Sequence, residues 1–386
     1  MKLITGCISS AISIHGLGVL SALGHDLGAH IRAISSGDTG IRPLSDLLGE
    51  KSPYAHFHGA WVEPRGLLNH RKWSPASMAA LEVAQQAVSA AGWSSSDLAA
   101  AGLVLGTSRG NAAGWLGPWP GRRPFKLMAA SNTIHSEPAT AVSIEFGIFG
   151  PNHVVASGCS AGLDALGLGK MMIDSGQVER VLTVAVDLPL VPLLLENYRS
   201  SGLLGSSCKL DPFSSDATGF LPGEGAAAIA LSKNESSDLK FLSFANNSDG
   251  ADPVGVPATG GRTKELLDTA VSSFGNPTAI CPHATGTAVQ ARAERKFLGD
   301  AFGGVEASLH LLKPYFGHTI GASGLLESAV LLGFLNEGRL PPNLPGTSGI
   351  DRISAPNETR ITDGPVFKLA HGMGGHNALA VFQVNS

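Results

Sequence analysis

The sequence predicts an α/β protein in which layers of sheet and helix alternate. Short apolar runs, such as residues 102–106 (GLVLG) and 181–186 (VLTVAV), are typical of buried strands in a mostly parallel sheet. Residues 74–91 and 162–175 instead carry apolar side chains at helical spacing. This alternation of strand and helix along the chain indicates α/β layers.

An internal repeat predicts that the layers are built from two similar halves. Residues 160–163 (SAGL) and 322–325 (ASGL) each begin a helical segment. In both copies 14 residues separate the glycine of the Gly-Leu pair from a later glycine, Gly176 or Gly338. Both later glycines are suited to end a helix, so the repeat indicates two copies of one helical unit.

Each copy of this unit opens on a short polar loop, which carries Cys159 in the first copy and His318 in the second. We expect the two halves to span residues 1–232 and 233–386. Their duplicated helices would then begin near a single site, with the cysteine and the histidine beside each other.

Bulk composition excludes several classes of partner. The 386 residues are 43% hydrophobic and 15% charged, which is enough for a substantial core. The formal net charge of −4 gives no electrostatic footprint for nucleic acid or for an anionic membrane. No charge-free apolar stretch reaches the roughly 20 residues that a membrane span requires.

The four cysteines, Cys7, Cys159, Cys208 and Cys281, are far apart and form no CxxC pair. This spacing argues against a disulfide framework and against a zinc knuckle. We therefore expect a reduced, cytoplasmic protein.

Cys159 lies in a segment, residues 156–162 (ASGCSAG), where an apolar strand runs through a turn of small residues into a helix. The positive end of the helix dipole favours a thiolate at that place. Taken alone, the segment is equally compatible with a nucleophile and with a packed structural thiol.

Two histidines favour the nucleophile. His283 follows a predicted strand and leads a polar loop, residues 282–287 (PHATGT). His318 lies in residues 313–324 (KPYFGHTIGASG), which contain too much glycine for a simple amphipathic helix. Because sites collect at the strand ends of α/β sheets, both loops are expected beside the cysteine.

Together these segments resemble the signatures of β-ketoacyl-acyl carrier protein synthases of the elongating type. The spacing of Lys313, His318 and Glu327 is similar to that family, and residues 16–19 (GLGV) and 220–225 (FLPGEG) resemble its opening strand and central segment. The resemblance covers nearly the whole chain. It implies a thiolase-type αβαβα fold and a catalytic set of one cysteine and two histidines, without a metal or another cofactor.

By this resemblance, Cys159 would accept an acyl group from an acyl carrier protein, with the backbone amides of Cys159 and Met373 stabilising the oxyanion. His283 and His318 would stabilise the enolate formed as a malonyl carrier loses carbon dioxide. Lys313 and Glu327 would hold the geometry around His318. The family also implies a dimer, either of identical chains or with a related ketosynthase-like subunit.

The resemblance further assigns substrate-binding positions, and several of them depart from the family. The expected substrate-binding residues are Thr285, Thr287, His371, Met373 and Gly374. Met373 stands where the family has a gating phenylalanine, so the acyl pocket is expected to take a different chain. The family's ion-pairing and cation-binding positions are also changed, at Asp211, Ser214, Ala217, Thr218 and Ala291. These departures favour polyketide or aryl-polyene assembly over ordinary fatty acid elongation.

Two alternatives remain open from the sequence. One is a chain-length-setting subunit of a ketosynthase heterodimer, although such subunits typically lack the nucleophile. The other is a metal protein that uses Cys281 and His283 with further ligands. For carrier docking, the basic pairs Arg71-Lys72 and Arg122-Arg123 are candidates, because carrier proteins resemble acidic helical bundles.

Overall fold

The computed structural model describes residues 11–116, 130–233, 236–361 and 363–384. Its main element is a mixed sheet of ten strands. The strands of this sheet are β1 (Ile12–Ser21), β4 (Gly102–Gly106), β5 (Asn152–Val155), β6 (Arg180–Asp187), β7 (Gly225–Ser232), β8 (Leu239–Ser248), β9 (Ala279–Cys281), β10 (Ser308–Leu309), β11 (Val366–Gly372) and β12 (His376–Val384). A separate pair consists of β2 (Arg42–Pro43) and β3 (His58–Gly59).

Helices occupy the connections between the strands. The described α-helices are α1 (Leu27–Ser36), α2 (Ser45–Leu48), α3 (Pro75–Ala91), α4 (Ser95–Ala100), α5 (Ala112–Leu116), α6 (Glu137–Phe146), α7 (Ala161–Asp174), α8 (Pro192–Ser200), α9 (Thr263–Phe274), α10 (Ala288–Phe302), α11 (Lys313–Phe316) and α12 (Ser323–Asn336). Among the described helices, none is long and apolar enough to cross a membrane.

The ten strands form two five-stranded halves with the same topology. The first half has the order β5-β4-β6-β7-β1 and the second has the order β10-β9-β11-β12-β8. In each half the second strand along the chain pairs in parallel with the third and fourth, while the fifth is antiparallel to both of its neighbours. The prediction of two similar halves is therefore confirmed.

The prediction of a mostly parallel sheet is wrong, because the sheet is mixed. One physical reason is visible between β11 and β12, which a three-residue turn connects, and so short a connection permits only antiparallel pairing. The halves join through β1 and β8, which pair at Ile12 with Phe241 and at Ser13 with Lys240. The boundary expected after residue 232 lies in the connection from β7 to β8 and stays a prediction.

The protein has three apolar cores. One lies on the outer face of each half of the sheet, and the third is a central core to which both halves contribute. Along β4, Leu103 and Leu105 face a core that contains α3 and α6, whereas Val104 faces a core that contains α7 and α12. The second half contributes β11 and β12 to this central core and packs its other face on α9 and α10. Two layers of sheet thus alternate with three layers of helix, as expected for an αβαβα arrangement.

The two repeat segments are the central helices α7 and α12. Each has 14 residues and follows a short 3-10 turn, Gly158–Ser160 in one copy and Ile320–Ala322 in the other. Each ends with a left-handed glycine, at φ 73° for Gly176 and φ 71° for Gly338. At both ends the glycine N–H and the next residue's N–H bond carbonyls of the last helical turn, which is the Schellman arrangement.

The first turns of α7 and α12 touch at their glycines. A Cβ atom at Gly162 would lie 2.8 Å from the carbonyl oxygen of Gly321, and one at Gly324 would lie 2.7 Å from the amide nitrogen of Leu163. Such distances leave no room for any side chain. The close approach therefore requires glycine in both copies, and it places the two preceding loops beside each other.

We predict that Gly324→Ala destabilises the protein by about 1–3 kcal/mol, because its Cβ would overlap the backbone of α7. The free energy of unfolding is to be measured by urea denaturation. Gly304→Ala serves as the control, since a Cβ at that position would meet nothing within 4 Å. Equal stability of the two variants would contradict the assigned role of the contact.

Candidate active site

Cys159 lies in the 3-10 turn between β5 and α7, with its side chain in a cavity of about 600 Å³. Gly158 allows the turn through its left-handed backbone, at φ 65°. The end of β11 packs directly against this turn, because a Cβ at Gly372 would lie 2.4 Å from the Ser157 carbonyl oxygen. The thiol is thus held between the two halves of the protein.

His318 is the immediate partner of this thiol. Its Nε2 atom lies 3.2 Å from the Cys159 Sγ atom, and its Nδ1 atom lies 2.9 Å from the Ser323 hydroxyl oxygen. The Thr319 N–H donates to the same hydroxyl, so the Ser323 proton is free to be donated to Nδ1. This pattern is compatible with the tautomer that carries the ring proton on Nε2, facing the cavity.

The segment 220–225 holds the His318 loop. The backbone N–H of His318 donates to the Leu221 carbonyl at 2.7 Å, and the Gly223 N–H donates to the His318 carbonyl at 2.9 Å. A Cβ at Gly223 would lie 2.3 Å from the Phe316 carbonyl oxygen. The small residues of this segment therefore allow two loops to pair closely behind the histidine.

His283 follows β9 and completes the group. Its ring centroid lies 5.3 Å from that of His318, with the two rings nearly perpendicular. Glu294 on α10 accepts hydrogen bonds from the backbone N–H groups of His283, at 2.8 Å, and Ala284, at 2.9 Å. These bonds hold Ala284 at φ 45°, a backbone conformation that is costly for a residue other than glycine.

The structure brings Cys159, His283 and His318 together, with one ligand-type atom of each within 4.8 Å of the others. Among the described residues this trio is also the cluster whose atoms are close enough to hold a metal ion. Cys281, which the metal alternative requires, lies elsewhere, with its Sγ atom 3.9 Å from a Glu327 carboxylate oxygen. Within the described residues, no cluster with metal-ligand spacing includes Cys281, so the geometry does not support the metal alternative.

Burial keeps the trio uncharged. It lowers the pKa of both His283 and His318 well below the ordinary value, and the positive charge of Lys313 lowers both further. Burial also raises the pKa of the Cys159 thiol to about 11. Desolvation of the half-buried sulfur therefore opposes the thiolate expected from the helix dipole.

A buried group of three charges lies behind the histidines. Lys313 Nζ lies 2.6 Å from one oxygen of Glu327, and Lys368 Nζ lies 2.8 Å from the other. Burial opposes ionisation of Glu327, yet the two ammonium groups outweigh it and hold its pKa below the ordinary value. Lys368 also donates to the carbonyls of Leu369, at 2.8 Å, and Pro282, at 3.4 Å, which directly precedes His283.

Lys368 and Glu294 were missed by the sequence reasoning. Lys368 interrupts the apolar run of residues 366–370 (VFKLA) in strand β11, and that isolation was an available signal. Glu294 lies 11 residues after His283 on an amphipathic helix, where an acidic side chain is usually exposed. Its partners become visible only when the helix packs against the loop.

Four of the five expected substrate-binding residues line the cavity, and one does not. Thr285, Thr287, His371 and Met373 line the cavity, whereas Gly374 lies in the β11–β12 turn outside its lining. Both ring nitrogens of His371 are already occupied, by Gln290 at 2.8 Å and by Thr263 at 3.1 Å. His371 therefore exposes carbon atoms of its ring to the cavity, and neither of its ring nitrogens is free to bind a substrate.

Comparison with known families agrees with this architecture. A model of the β-ketoacyl synthase N-terminal domain matches residues 9–237, and a model of the C-terminal domain matches residues 240–347. The chain belongs to the β-ketoacyl synthase family. The family predicted from the sequence motifs is thereby confirmed.

Curated relatives are distant in sequence. A highly reducing polyketide synthase of Aspergillus fumigatus is 28% identical over 286 residues, which are 69% of this chain and 11% of that protein. The 3-oxoacyl-(acyl-carrier-protein) synthase 2 of Staphylococcus aureus is 24% identical over 267 residues, 63% of this chain and 65% of that enzyme. The matched part of the chain thus spans less than two thirds of either relative.

Solved ketosynthases share the fold. A ketosynthase in a complex with its type II polyketide synthase carrier protein gives a TM-score of 0.83 at 22% identity, covering 98% of this chain and 100% of that one. The ketosynthase from module 6 of the Bacillus subtilis bacillaene synthase gives 0.82 at 17% identity, covering 98% and 72%. These likenesses confirm the layered thiolase-type fold.

We predict that Glu327→Gln destabilises the protein by about 3 kcal/mol or more, because it leaves two buried ammonium groups without a counter-charge. Lys368→Met should destabilise the protein less than Glu327→Gln does, because Glu327 still forms its ion pair with Lys313. Lys264→Met is the control: its pair with Asp268 is exposed, so the loss should stay below about 0.5 kcal/mol. Urea denaturation gives the three values, and a different order would refute the charge assignment.

We also predict that alkylation of Cys159 by iodoacetamide accelerates about tenfold for each pH unit between about pH 7 and pH 10. The thiolate is the reactive form, and burial raises the pKa of this thiol to about 11, so the rate should approach its plateau only near that pH. Cys7 and Cys208 are replaced by serine so that they do not react, and peptide mass mapping identifies the alkylation of Cys159. A plateau near neutral pH would show a thiolate at rest and contradict the prediction.

Proposed function

We propose that this chain is a condensing enzyme of the elongating type, which joins a Cys159-bound acyl group to a malonyl unit with loss of carbon dioxide. The observation that carries the proposal is the 3.2 Å approach of Cys159 Sγ to His318 Nε2 beside His283, inside one cavity. A thiol and two neutral imidazoles are the groups that this chemistry needs.

In the first step, Cys159 attacks the thioester carbonyl of an acyl carrier protein. A new bond forms between Sγ and the acyl carbon, the old carbon–sulfur bond breaks, and the carrier thiol leaves with the proton of Cys159. The backbone N–H groups of Cys159 and Met373 are the proposed donors to the oxyanion. In support of that pairing, a Cβ at Gly158 would lie 3.6 Å from the Met373 amide nitrogen.

In the second step, a malonyl carrier replaces the first carrier. Its carbon–carbon bond to the carboxylate breaks and releases carbon dioxide, while the Nε2–H groups of His283 and His318 donate to the enolate oxygen. The enolate carbon then attacks the acyl carbonyl, the bond from the acyl carbon to Sγ breaks, and Cys159 leaves as a thiolate that takes up one proton from solvent. Because the imidazoles are neutral at rest, their donation strengthens as negative charge develops on the enolate.

The buried charges have a positioning role in this proposal. Lys313 and Lys368 lower the pKa of His318 beyond the effect of burial, so the imidazole stays neutral. Glu327 binds both ammonium groups and fixes their places. The hydrogen bond from Lys368 to the Pro282 carbonyl extends this support to the His283 loop.

The proposed partners are an acyl carrier protein, in its acyl and malonyl forms, and a second ketosynthase-like subunit. Support comes from the similar solved structures, one of which is a ketosynthase with its carrier protein and another a ketosynthase/chain length factor. Of the two candidate docking pairs, Arg71-Lys72 is exposed, although Lys72 already contacts Glu145 and the Trp73 ring. Arg122-Arg123 lies outside the described residues.

The pathway is proposed as polyketide or aryl-polyene-type elongation, with fatty acid elongation as the other choice. A chain-length-setting subunit with little catalysis of its own is the alternative, and the likeness to the ishigamide ketosynthase/chain length factor supports considering it. The complete trio around Cys159 argues against that alternative, because a subunit that only sets length needs no nucleophile.

We predict that incubation with an acyl carrier protein adds one acyl group to Cys159, seen by intact mass, and that Cys159→Ala abolishes this adduct. His318→Ala should still acquire the acyl group but release no carbon dioxide from malonyl carrier, because it has lost a donor to the enolate. An adduct that persists in Cys159→Ala would refute the nucleophile. Unchanged condensation by His318→Ala would refute the role of the histidine.

A further inference from the structure

The cavity at Cys159 is mainly apolar, as expected for a pocket that takes an acyl chain. Its apolar lining residues are Leu203, Phe220, Val254, Val256, Val289, Ile320 and Met373. The cation Arg109 lines the same cavity, on the loop between β4 and α5. A charged side chain in such a lining requires an explanation, because apolar pockets use their few polar groups to orient and select a ligand.

The loop that carries Arg109 is firmly held. The carboxylate of the buried Asp187 accepts hydrogen bonds from the backbone N–H groups of Ser108, at 2.8 Å, and Arg109, at 2.9 Å. The Thr107 hydroxyl and the Gly321 N–H donate to the same carboxylate, at 3.0 Å and 2.7 Å. With four donors on its two oxygens, Asp187 anchors the loop instead of pairing with the guanidinium.

The guanidinium of Arg109 has no carboxylate partner among the described residues. Its Nε atom is buried and lacks a hydrogen-bond acceptor within the described chain. The guanidinium lies beside Tyr198, whose ring centroid is 5.7 Å from the Arg109 Cζ atom and whose hydroxyl is the polar group next to it. This neighbour leaves the buried Nε atom without an acceptor, and an unsatisfied buried donor typically costs about 1–3 kcal/mol.

A second role for Arg109 has to be separated from ligand binding. Its positive charge lowers the pKa of the Cys159 thiol, but burial, Lys313 and Asp187 all have larger effects. A residue that served only the thiol would change the reactivity towards all acyl groups equally. A residue that binds the acyl chain would change the preference between chains.

We propose that Arg109 selects acyl groups that carry an oxygen acceptor along the chain, as a carboxylate or a ketone, over plain hydrocarbon chains. The inference rests on the proposed function, because it concerns the group bound to Cys159. The missing acceptor for the guanidinium would then be supplied by the substrate, within a cavity whose other walls accommodate the methylene groups.

The test measures the rate of Cys159 acylation, by intact mass, with coenzyme A thioesters in matched pairs. Adipoyl is compared with heptanoyl and suberoyl with nonanoyl, and a chain ending in a methyl ketone is compared with one ending in an isopropyl group. We expect the oxygen-bearing member of at least one pair to react about tenfold faster, as expected for a hydrogen bond to a charged group. The carboxylate and ketone arms distinguish the two sources of the acceptor.

Two variants complete the design. Arg109→Met, which keeps the length but removes the charge and the donors, should abolish the preference, measured as the ratio of the two acylation rates within each pair, so that any common change through the thiol cancels. Arg109→Lys keeps the charge but loses the planar fork, so it should retain only part of the preference. A uniform change in all rates in Arg109→Met would assign the residue to the thiol and overturn the inference.

The outcomes also separate this inference from the proposed function. Hydrocarbon thioesters that acylate Cys159 without any preference for an oxygen-bearing chain would overturn the inference and leave the proposed function standing. Failure of every thioester, together with failure of acyl carrier protein, would refute both. The preference of the unaltered protein is itself decisive, so the test does not depend on the folding of a variant.

Discussion

The contact between the first turns of α7 and α12 is the constraint on which the rest of the site depends. Gly162 and Gly324 meet backbone to backbone, and a Cβ on either would overlap the other helix. Because the helices occupy equivalent places in the two halves, their contact brings Cys159 and His318 to 3.2 Å. Asp187 reinforces this junction, since it bonds the Gly321 amide of one half while holding a loop of its own.

Uncharged reacting groups and buried charged groups lie next to each other around this contact. Desolvation keeps the thiol protonated and the imidazoles neutral, while three charges lie fully buried directly behind them. Burial lowers the pKa of Lys313, whereas the pKa of Lys368 is raised despite its burial because the acidic groups of Cys281 and Glu327 are beside it, so Lys368 keeps a positive charge near the place where an enolate would form. In a low-dielectric interior such a fixed charge acts strongly on developing negative charge, and it needs no reorganisation at the moment of reaction.

The residues that the chain shares with its family and the residues that are particular to this chain lie in different parts of the cavity. The Cys159, His283 and His318 constellation is what the family motifs predict, whereas the walls carry this chain's own substitutions. His371 is fixed by Gln290 and Thr263 and packs its ring 5.6 Å from that of His283, so it acts as a rigid wall. Such walls and Arg109, rather than the reacting groups, are where a chain preference would reside.

Features that depend on local chemistry were predictable from the amino-acid sequence. Strand β4 lies where residues 102–106 predicted it, the helix predicted over residues 74–91 is α3, and the glycine spacing correctly indicated a duplicated helix. Strand direction, the desolvation that raises the pKa of the Cys159 thiol and the partners of Lys368 depend on the tertiary structure. Glu327 and Lys368 are 41 residues apart along the chain, so a local sequence pattern cannot predict that they pair. The burial of a side chain likewise depends on which distant segments pack over it.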